Sequence, residues 1–286
     1  MKISIITTIT NPDERQYAWA EAIRNYLALA DEVVIVNGGE PLYENLDFMD
    51  NPRLRIINLP WPDKWHWSEL PVHLNAGLEA ATGVWVIKTD IDYFFHEKDM
   101  PTIRFGLNEA ENYAIAGFQK RGIINRNRYY NKCDLPVAIN KASMGSAIKF
   151  GIDPDQETDW CFPVMVNGEK TFKNGNKVPL GKVAPENLAY GVGIPIWNYD
   201  AFFRTKEVQK KEFWRFAQAY ATAFDKSWGK TEEGSFKYWV EMMRSRVAKI
   251  HNPLDILSHP IHIQERLKAM TPDEWGYNNW DKLKGL

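Results

Sequence analysis

Short apolar runs alternate with amphipathic stretches through the first part of the chain. Residues 3–8, 32–36, 54–59 and 84–87 each predict a strand. The last of these, Val-Trp-Val-Ile, has no polar residue on either face, which suits a strand covered on both sides, as in a parallel sheet. Between the first two runs, Trp19, Ile23, Tyr26, Leu27 and Ala30 recur at helical spacing. Asn11-Pro12-Asp13-Glu14 predicts the start of that helix, with Asn as N-cap and Pro in the first turn. Residues 68–81 predict a second helix, with Leu70, Leu74 and Leu78 in one line and Gly83 closing it. Strand, helix, strand, strand, helix, strand is a Rossmann-like α/β opening.

The pattern then changes. Residues 114–130 read as extended. Asn167-Gly168 and Asn174-Gly175 are hairpin signals and predict a small antiparallel meander. Residues 194–199 predict a strand returning to the sheet. Residues 207–224 are helical, with Phe213, Phe216, Ala217, Tyr220 and Phe224 on one face, and residues 232–250 carry Phe236, Trp239, Val240, Met243, Val247 and Ile250 inward. In the latter the acids come early and Arg244, Arg246 and Lys249 late, which suits the helix dipole. The expected division is an α/β domain over 1–205 and a helical C-terminal region over 206–286 packed on it.

Composition narrows the class only slightly. The chain has 286 residues, 25% of them charged, and a formal net charge of -2, so it has no global polycation character. Cys133 and Cys161 form no Cys-x-x-Cys and no zinc spacing, and the N-terminal apolar run is too short and too polar for a signal peptide. No run approaches a membrane span. These observations predict a soluble, cytoplasmic protein with no membrane partner, and nothing implies an obligate protein partner.

The candidate chemistry begins at Asp90 and Asp92. Residues two apart in a strand point to the same side. At a strand end, two carboxylates can reach one hard cation, Mg2+ or Mn2+. Open α/β sheets bind ligands outside the carboxyl ends of their strands. Just upstream stand Leu74-Asn75-Ala76-Gly77-Leu78 and Ala81-Thr82-Gly83. The whole block, running on to Asp90 and Asp92, resembles the heart of family-2-like glycosyltransferases of the GT-A fold, over roughly the first third of the chain. The resemblance implies a Rossmann-like, mostly parallel sheet flanked by helices, with the meander and helical appendage added to it. It implies a soluble, metal-dependent hexosyltransferase that moves a sugar from a nucleotide-diphosphate sugar, UDP-sugars first, to a hydroxyl acceptor. The acceptor would be a glycan, a small molecule or a hydroxymethylated DNA base.

By the same resemblance, Thr7, Thr8 and Asn37 would contact the base and ribose of the donor. Relatives carry Asp-Asp-Gly-Ser where this chain has Asn37-Gly38-Gly39. The Asn37 amide can hydrogen-bond but carries no charge, so the base stays open, and a turn-making role for Asn37 is as well supported. In the loop at 59–69, Trp61, Trp65 and Trp67 either wall the donor pocket, with Trp67 as a donor contact, or pack the loop down. His73 would lie near the phosphates. Asp90 and Asp92 would hold the ion, with His259 as third ligand ahead of His262. Asp200 is the first candidate for the base that an inverting transfer needs, with the acidic loop of Asp153, Asp155, Glu157 and Asp159 second. The basic run at 120–132 is interleaved with aromatics. It is either a solvated strand or a phosphate-tracking surface in which Arg126, Arg128 and Tyr129 bind the acceptor. Two other classes stay open. A sugar-nucleotide pyrophosphorylase would need a Gly-rich, basic loop after the first strand, where residues 7–12 hold no glycine. A GT-A-like binding module would need no intact acidic pair.

Overall fold

The computed structural model of the chain describes residues 1–42, 46–63, 66–144, 148–151, 164–166, 169–170, 172–173, 176–177, 189–224, 227–248 and 251–279. The chain opens with β1 (Ile3–Ile9), α1 (Trp19–Leu29), β2 (Glu32–Asn37), β3 (Leu54–Asn58), α2 (Glu69–Ala80), β4 (Trp85–Lys88) and β5 (Tyr93–Phe95). It continues through α3 (Met100–Glu109), β6 (Ile115–Asn125), β7 (Arg128–Asn140) and α4 (Lys141–Met144). Five short strands follow as β8 (Ile148–Phe150), β9 (Val164–Val166), β10 (Glu169–Lys170), β11 (Phe172–Lys173) and β12 (Asn176–Lys177). The last part holds β13 (Ala189–Asn198), α5 (Lys206–Phe224), α6 (Glu232–Val247), β14 (Asn252–Pro253) and α7 (Ile261–Lys268).

The central sheet runs in the order β3-β2-β1-β4-β7-β6-β13-β5, with β14 paired to β7. β1 is parallel to both β2 and β4, and β2 is parallel to β3. Beyond β4 the sheet is mixed: β7 is antiparallel to β4 and β6, β13 is parallel to β6, and β5 runs antiparallel to β13. On this path parallel pairings outnumber antiparallel ones, and helices cover both faces. The alternation of side chains sorts the layers. Ile5, Val33, Ile35 and Ile87 join the core beneath α1, α3 and α7, while Ile6, Val34 and Val86 join the cluster with Leu74 and Leu78 of α2. That double coverage is why the strands of this half read as near-continuous apolar runs.

The predicted meander is found as β8, β9 and β10 in one antiparallel sheet and β11 with β12 in another. Its Asn167-Gly168 and Asn174-Gly175 turns lie outside the described residues. α5 and α6 bury Phe213, Ala217, Phe236, Trp239 and Met243 against Ile124 and Tyr130 of the β6–β7 hairpin. Arg15 pairs with the buried Glu212 of α5 at 2.5 Å, and β14 adds to the edge of β7 at Tyr129 and Arg128.

One boundary moves. The helix predicted from Asn11 begins instead at Trp19, behind a separate turn. Asn11 (φ 41°) and Gln16 (φ 54°) sit in the left-handed region, which breaks the helical path. The Asn11 side chain accepts from Glu40 N at 3.0 Å, so it joins the β1 and β2 loops rather than capping a helix.

Candidate functional site

The parallel strands place the site. From β1 the chain moves outward to β2 and β3, then returns through α2 to β4 on the opposite side of β1. The strand order therefore reverses between β1 and β4. The carboxyl ends of strands at such a reversal are where open α/β sheets leave a crevice for ligands. Asp90 and Asp92 lie there, in the turn that joins β4 to β5. α1 holds this turn. The Tyr26 hydroxyl is 2.7 Å from Asp90 O and 2.9 Å from Tyr93 O, and the Asn25 amide both donates to Phe95 O and accepts from Phe95 N. The partner of β5 is the end of β13, where Tyr199 N donates to Asp92 O at 2.9 Å. The next residue is Asp200. A strand pairing thus brings Asp200 beside the acidic pair from more than a hundred positions away in sequence.

Asp92 is near enough to Asp90 and Asp200 to feel both charges, and several cations lie around them. Burial works against the charge of Asp90, yet Lys88 (Nζ to Oδ1 2.5 Å) and then Lys120 hold it below the usual carboxylate range. Asp92 goes the other way. Burial, followed by the charges of Asp200 and Asp90, pushes it up to about 7 against Lys120 and Arg204. Its Oδ1 is buried and has no hydrogen-bond partner among the described residues. Burial also opposes ionisation of Asp200, but Arg246 (3.6 Å), Arg204 and Lys132 hold its pKa down. Lys120 bonds the Tyr93 hydroxyl, and its ammonium lies 4.5 Å from the Tyr93 ring centroid. Lys132 is pushed down to about 7 by burial and by the neighbouring charges of Lys120 and Arg246.

This donor set fits a divalent cation. Two hard oxygen groups stand at one turn, one of them with an orphaned buried oxygen and a carboxyl that Lys120 and Arg204 compensate only in part. Among the described residues no cluster of three metal-ligating side chains forms. His259 does not supply the third ligand. It is fully buried, its Nε2 donates to Arg126 O at 3.0 Å, and its Nδ1 accepts from the Tyr199 hydroxyl at 2.7 Å. Both nitrogens are spent on pinning the chain before α7 to β13 and to the β6–β7 turn, and burial lowers its pKa to about 4. His262 instead meets Asn25 at 3.4 Å.

The predicted donor contacts divide. Thr7 is buried with an unpartnered Oγ1, and Thr8 is half-buried at the end of β1, both beside the reversal point. Asn37 is taken by the turn: its amide nitrogen donates to Glu40 O at 2.9 Å, and its oxygen accepts from Gly39 N at 3.1 Å. Trp67 is not a pocket wall. It is 2% exposed and packs edge-on against Phe216, Tyr220 and Phe224 of α5. His73 is 2% exposed, with its nitrogens 2.6 Å from Leu59 O and 3.0 Å from Glu69 O and its ring stacked on Trp61 at 3.5 Å. It ties α2 to the loop after β3 and does not face the crevice as a free base. Trp61 in turn donates to Thr10 Oγ1 at 2.6 Å and lies over Gly38, where a Cβ would come within 2.2 Å of the indole.

Two arginines of the basic run lie on aromatic rings of their own chain, although Arg121 Nε and Arg126 Nε are buried without hydrogen-bond partners. The Arg121 guanidinium lies 4.3 Å from the Tyr129 ring and 4.7 Å from Trp197, and Arg126 lies 3.8 Å from Tyr277. Tyr129 is therefore half-buried under Arg121, while Arg128 is exposed at the hairpin turn. The interleaved aromatics hold the cations of their own chain, so the run does not form a bare phosphate-tracking stripe. The acidic loop of Asp153, Asp155, Glu157 and Asp159 lies outside the described residues, as does Trp65. Sequence reasoning missed Lys88, Lys132, Arg204 and Arg246 as members of the site. Lys88 was readable, since it lies two residues before Asp90 on the same strand face; the others arrive by tertiary pairing.

No family model matches the chain, and no curated protein matches it. Among solved structures, the 1-349 fragment of S. aureus TarS is 14% identical with a TM-score of 0.39, covering 87% of this chain and 72% of that one. The same fragment in complex with UDP gives 14% and 0.37, over 93% and 78% of the two chains. This chain spans 44% of the longer TarS structure. Glucosyl-3-phosphoglycerate synthase from Mycobacterium tuberculosis, in complex with Mn2+, UDP-glucose and phosphoglyceric acid, is 16% identical with a TM-score of 0.30, over 42% of this chain and 44% of that one. At these values the likeness carries no functional argument, and the reading below rests on the geometry of the chain itself.

Proposed function

We propose that the protein is a metal-dependent glycosyltransferase that takes a sugar from a nucleoside-diphosphate sugar to a hydroxyl acceptor. The observation that carries this reading is the acidic pair at the reversal point of the sheet, with Asp200 beside it. Asp90 and Asp92 would hold Mg2+ or Mn2+. When bound, such an ion offsets the charge that develops on a leaving diphosphate. Lys88 keeps Asp90 ionised, and the Tyr26 and Asn25 contacts fix the backbone on either side of the two carboxyls. Thr7 and Thr8 lie where the nucleoside end of the donor would rest. Asp200, kept ionised by Arg246, is available to take the proton of the acceptor hydroxyl at a carboxylate oxygen, as an in-line inverting transfer requires.

Two features of the basic run argue for a small molecule or glycan over a DNA base: Tyr129 stacks on Arg121, and Arg126 stacks on Tyr277. Slow hydrolysis of UDP-sugars, followed by mass spectrometry with Mn2+ and with excess chelator, tests the donor half without an acceptor. Release of nucleoside diphosphate with metal only supports the reading. No release from any UDP-, GDP- or TDP-sugar, with no nucleotide binding, points to a non-catalytic module of the same fold.

A further inference from the structure

The pocket that Asp200 lines also holds Lys132, which no step above uses. It is lined by Gly122 and Tyr130 of the β6–β7 hairpin, Lys132, Asn198, Asp200 and Arg246 of α6. Gly122 is required there: a Cβ would come within 2.5 Å of the Tyr130 ring, which lies across the strand and forms one wall. The cations of this pocket outnumber its carboxylates. Asp200 is matched by Arg246 at 3.6 Å. Lys132 makes no hydrogen bond or ion pair among the described residues, and the carboxylates that act on it, Asp200 and Asp92, do so only at longer range. Its ammonium sits 5.5 Å from the Tyr130 ring centroid, and like charges from Lys120 and Arg246 crowd it. An unpaired, half-buried ammonium is costly unless something of opposite charge arrives.

Asp200 and Lys132 line the same pocket, so an acceptor whose hydroxyl reaches Asp200 presents its next groups to Lys132. We infer that the acceptor is anionic, and that its phosphate or carboxylate is held in this pocket by Lys132 and Arg246. This rests on the reading of Asp200 as the residue that meets the acceptor hydroxyl. Lysine acts here as a compact point charge toward the anion, and Arg246 offers the fork that suits a phosphate or carboxylate. The position differs from the exposed Arg128 end of the hairpin, so the anion is a group on a small or terminal acceptor held beside the acidic crevice.

Isothermal titration of glycerol 3-phosphate into the full chain, with glycerol as the neutral match and acetate as the carboxylate probe, tests this. UDP and Mn2+ are present throughout, and UDP affinity is measured separately. The expected result is that glycerol 3-phosphate or acetate binds at least about tenfold more tightly than glycerol, a difference of about 1.4 kcal/mol. Lys132→Gln should lose that preference, with a melting temperature that holds or rises, and Lys132→Arg should keep it, both with unchanged UDP affinity. A preference for phosphate over acetate, or the reverse, names the anion and supports the inference either way. Equal binding of the charged and neutral probes, or full anion binding in Lys132→Gln, overturns it. If UDP fails to bind while the anion preference holds, the donor reading fails and the anion pocket stands.

Discussion

On the β3-β2-β1 side of the sheet, polar groups at the strand ends are consumed by the protein. Asn37 closes its own turn, His73 bridges two carbonyls, and Trp61 reaches Thr10. Across β4, on the β7-β6-β13-β5 side, charged groups are left over: the Asp92 oxygen is orphaned, and Lys132 is in direct ion-pair contact with no acid among the described residues. The two regions meet at Thr7, whose hydroxyl is also unpartnered. The difference teaches where a ligand acts. A self-satisfied edge is a rigid wall, whereas unbalanced charge held in place by strand pairing is where an incoming ion or anion contributes most. Strong perturbation of Asp92, by burial first and then by neighbouring carboxylates, is a pattern that clusters at functional sites.

The largest effect expected from breaking this contrast lies on the charged side. Asp200→Asn keeps shape and removes the proton acceptor, so transfer should fall by ~100- to 10,000-fold. Nucleotide binding should hold, because the role proposed for Asp200 is toward the acceptor. Steady-state rates alongside nucleotide titrations check this, and unchanged rates would remove Asp200 from the chemistry.

The consumed side should answer through stability instead. Trp67→Ala empties a site ringed by Phe216, Tyr220 and Phe224, and should cost about 3–5 kcal/mol in urea unfolding. Nucleotide affinity of the folded fraction should stay unchanged. A loss of affinity without a loss of stability would return Trp67 to the donor pocket.

His259 sharpens the comparison with pH. Its folded pKa, lowered to about 4, lies below the ordinary histidine value, so the unfolded chain binds the extra proton first. The contribution is neutral above about pH 6.5, and stability is lost as pH falls from there toward 4, by on the order of 3 kcal/mol. His259→Gln, which can still donate to Arg126 O, should flatten this part of the stability profile. An unaltered profile in the variant would assign the acid sensitivity elsewhere.

How much of this was legible follows from which interactions are local. The parallel half was readable because its strands are covered on both faces and its helices are amphipathic, so period and apolarity announce them. Asp90 and Asp92 were readable because they follow a buried strand directly. Asp200 was found as an acid after the last strand, but its nearness to Asp92 is a matter of β13 pairing with β5, which no local pattern encodes. Lys132 and Arg246 come together through the hairpin and α6, and the same logic hid them. His259 misled because an exposed helix cap and a buried pin share one sequence signature; only burial, with partners on both nitrogens, separates them.

The most direct test of the account is Asp92→Asn, measured for nucleotide binding with Mn2+ and for melting temperature in the same preparation. Asp92 is a poorly compensated carboxyl in the free protein, so the neutral amide should hold or raise the melting temperature, the trade expected of a functional charge. Metal-dependent binding of UDP should disappear, and transfer should fall on the order of 100-fold or more. A variant that binds UDP with Mn2+ as tightly as the natural chain, or that does so equally with chelator present, would contradict the claim that this acidic turn is the metal and donor site.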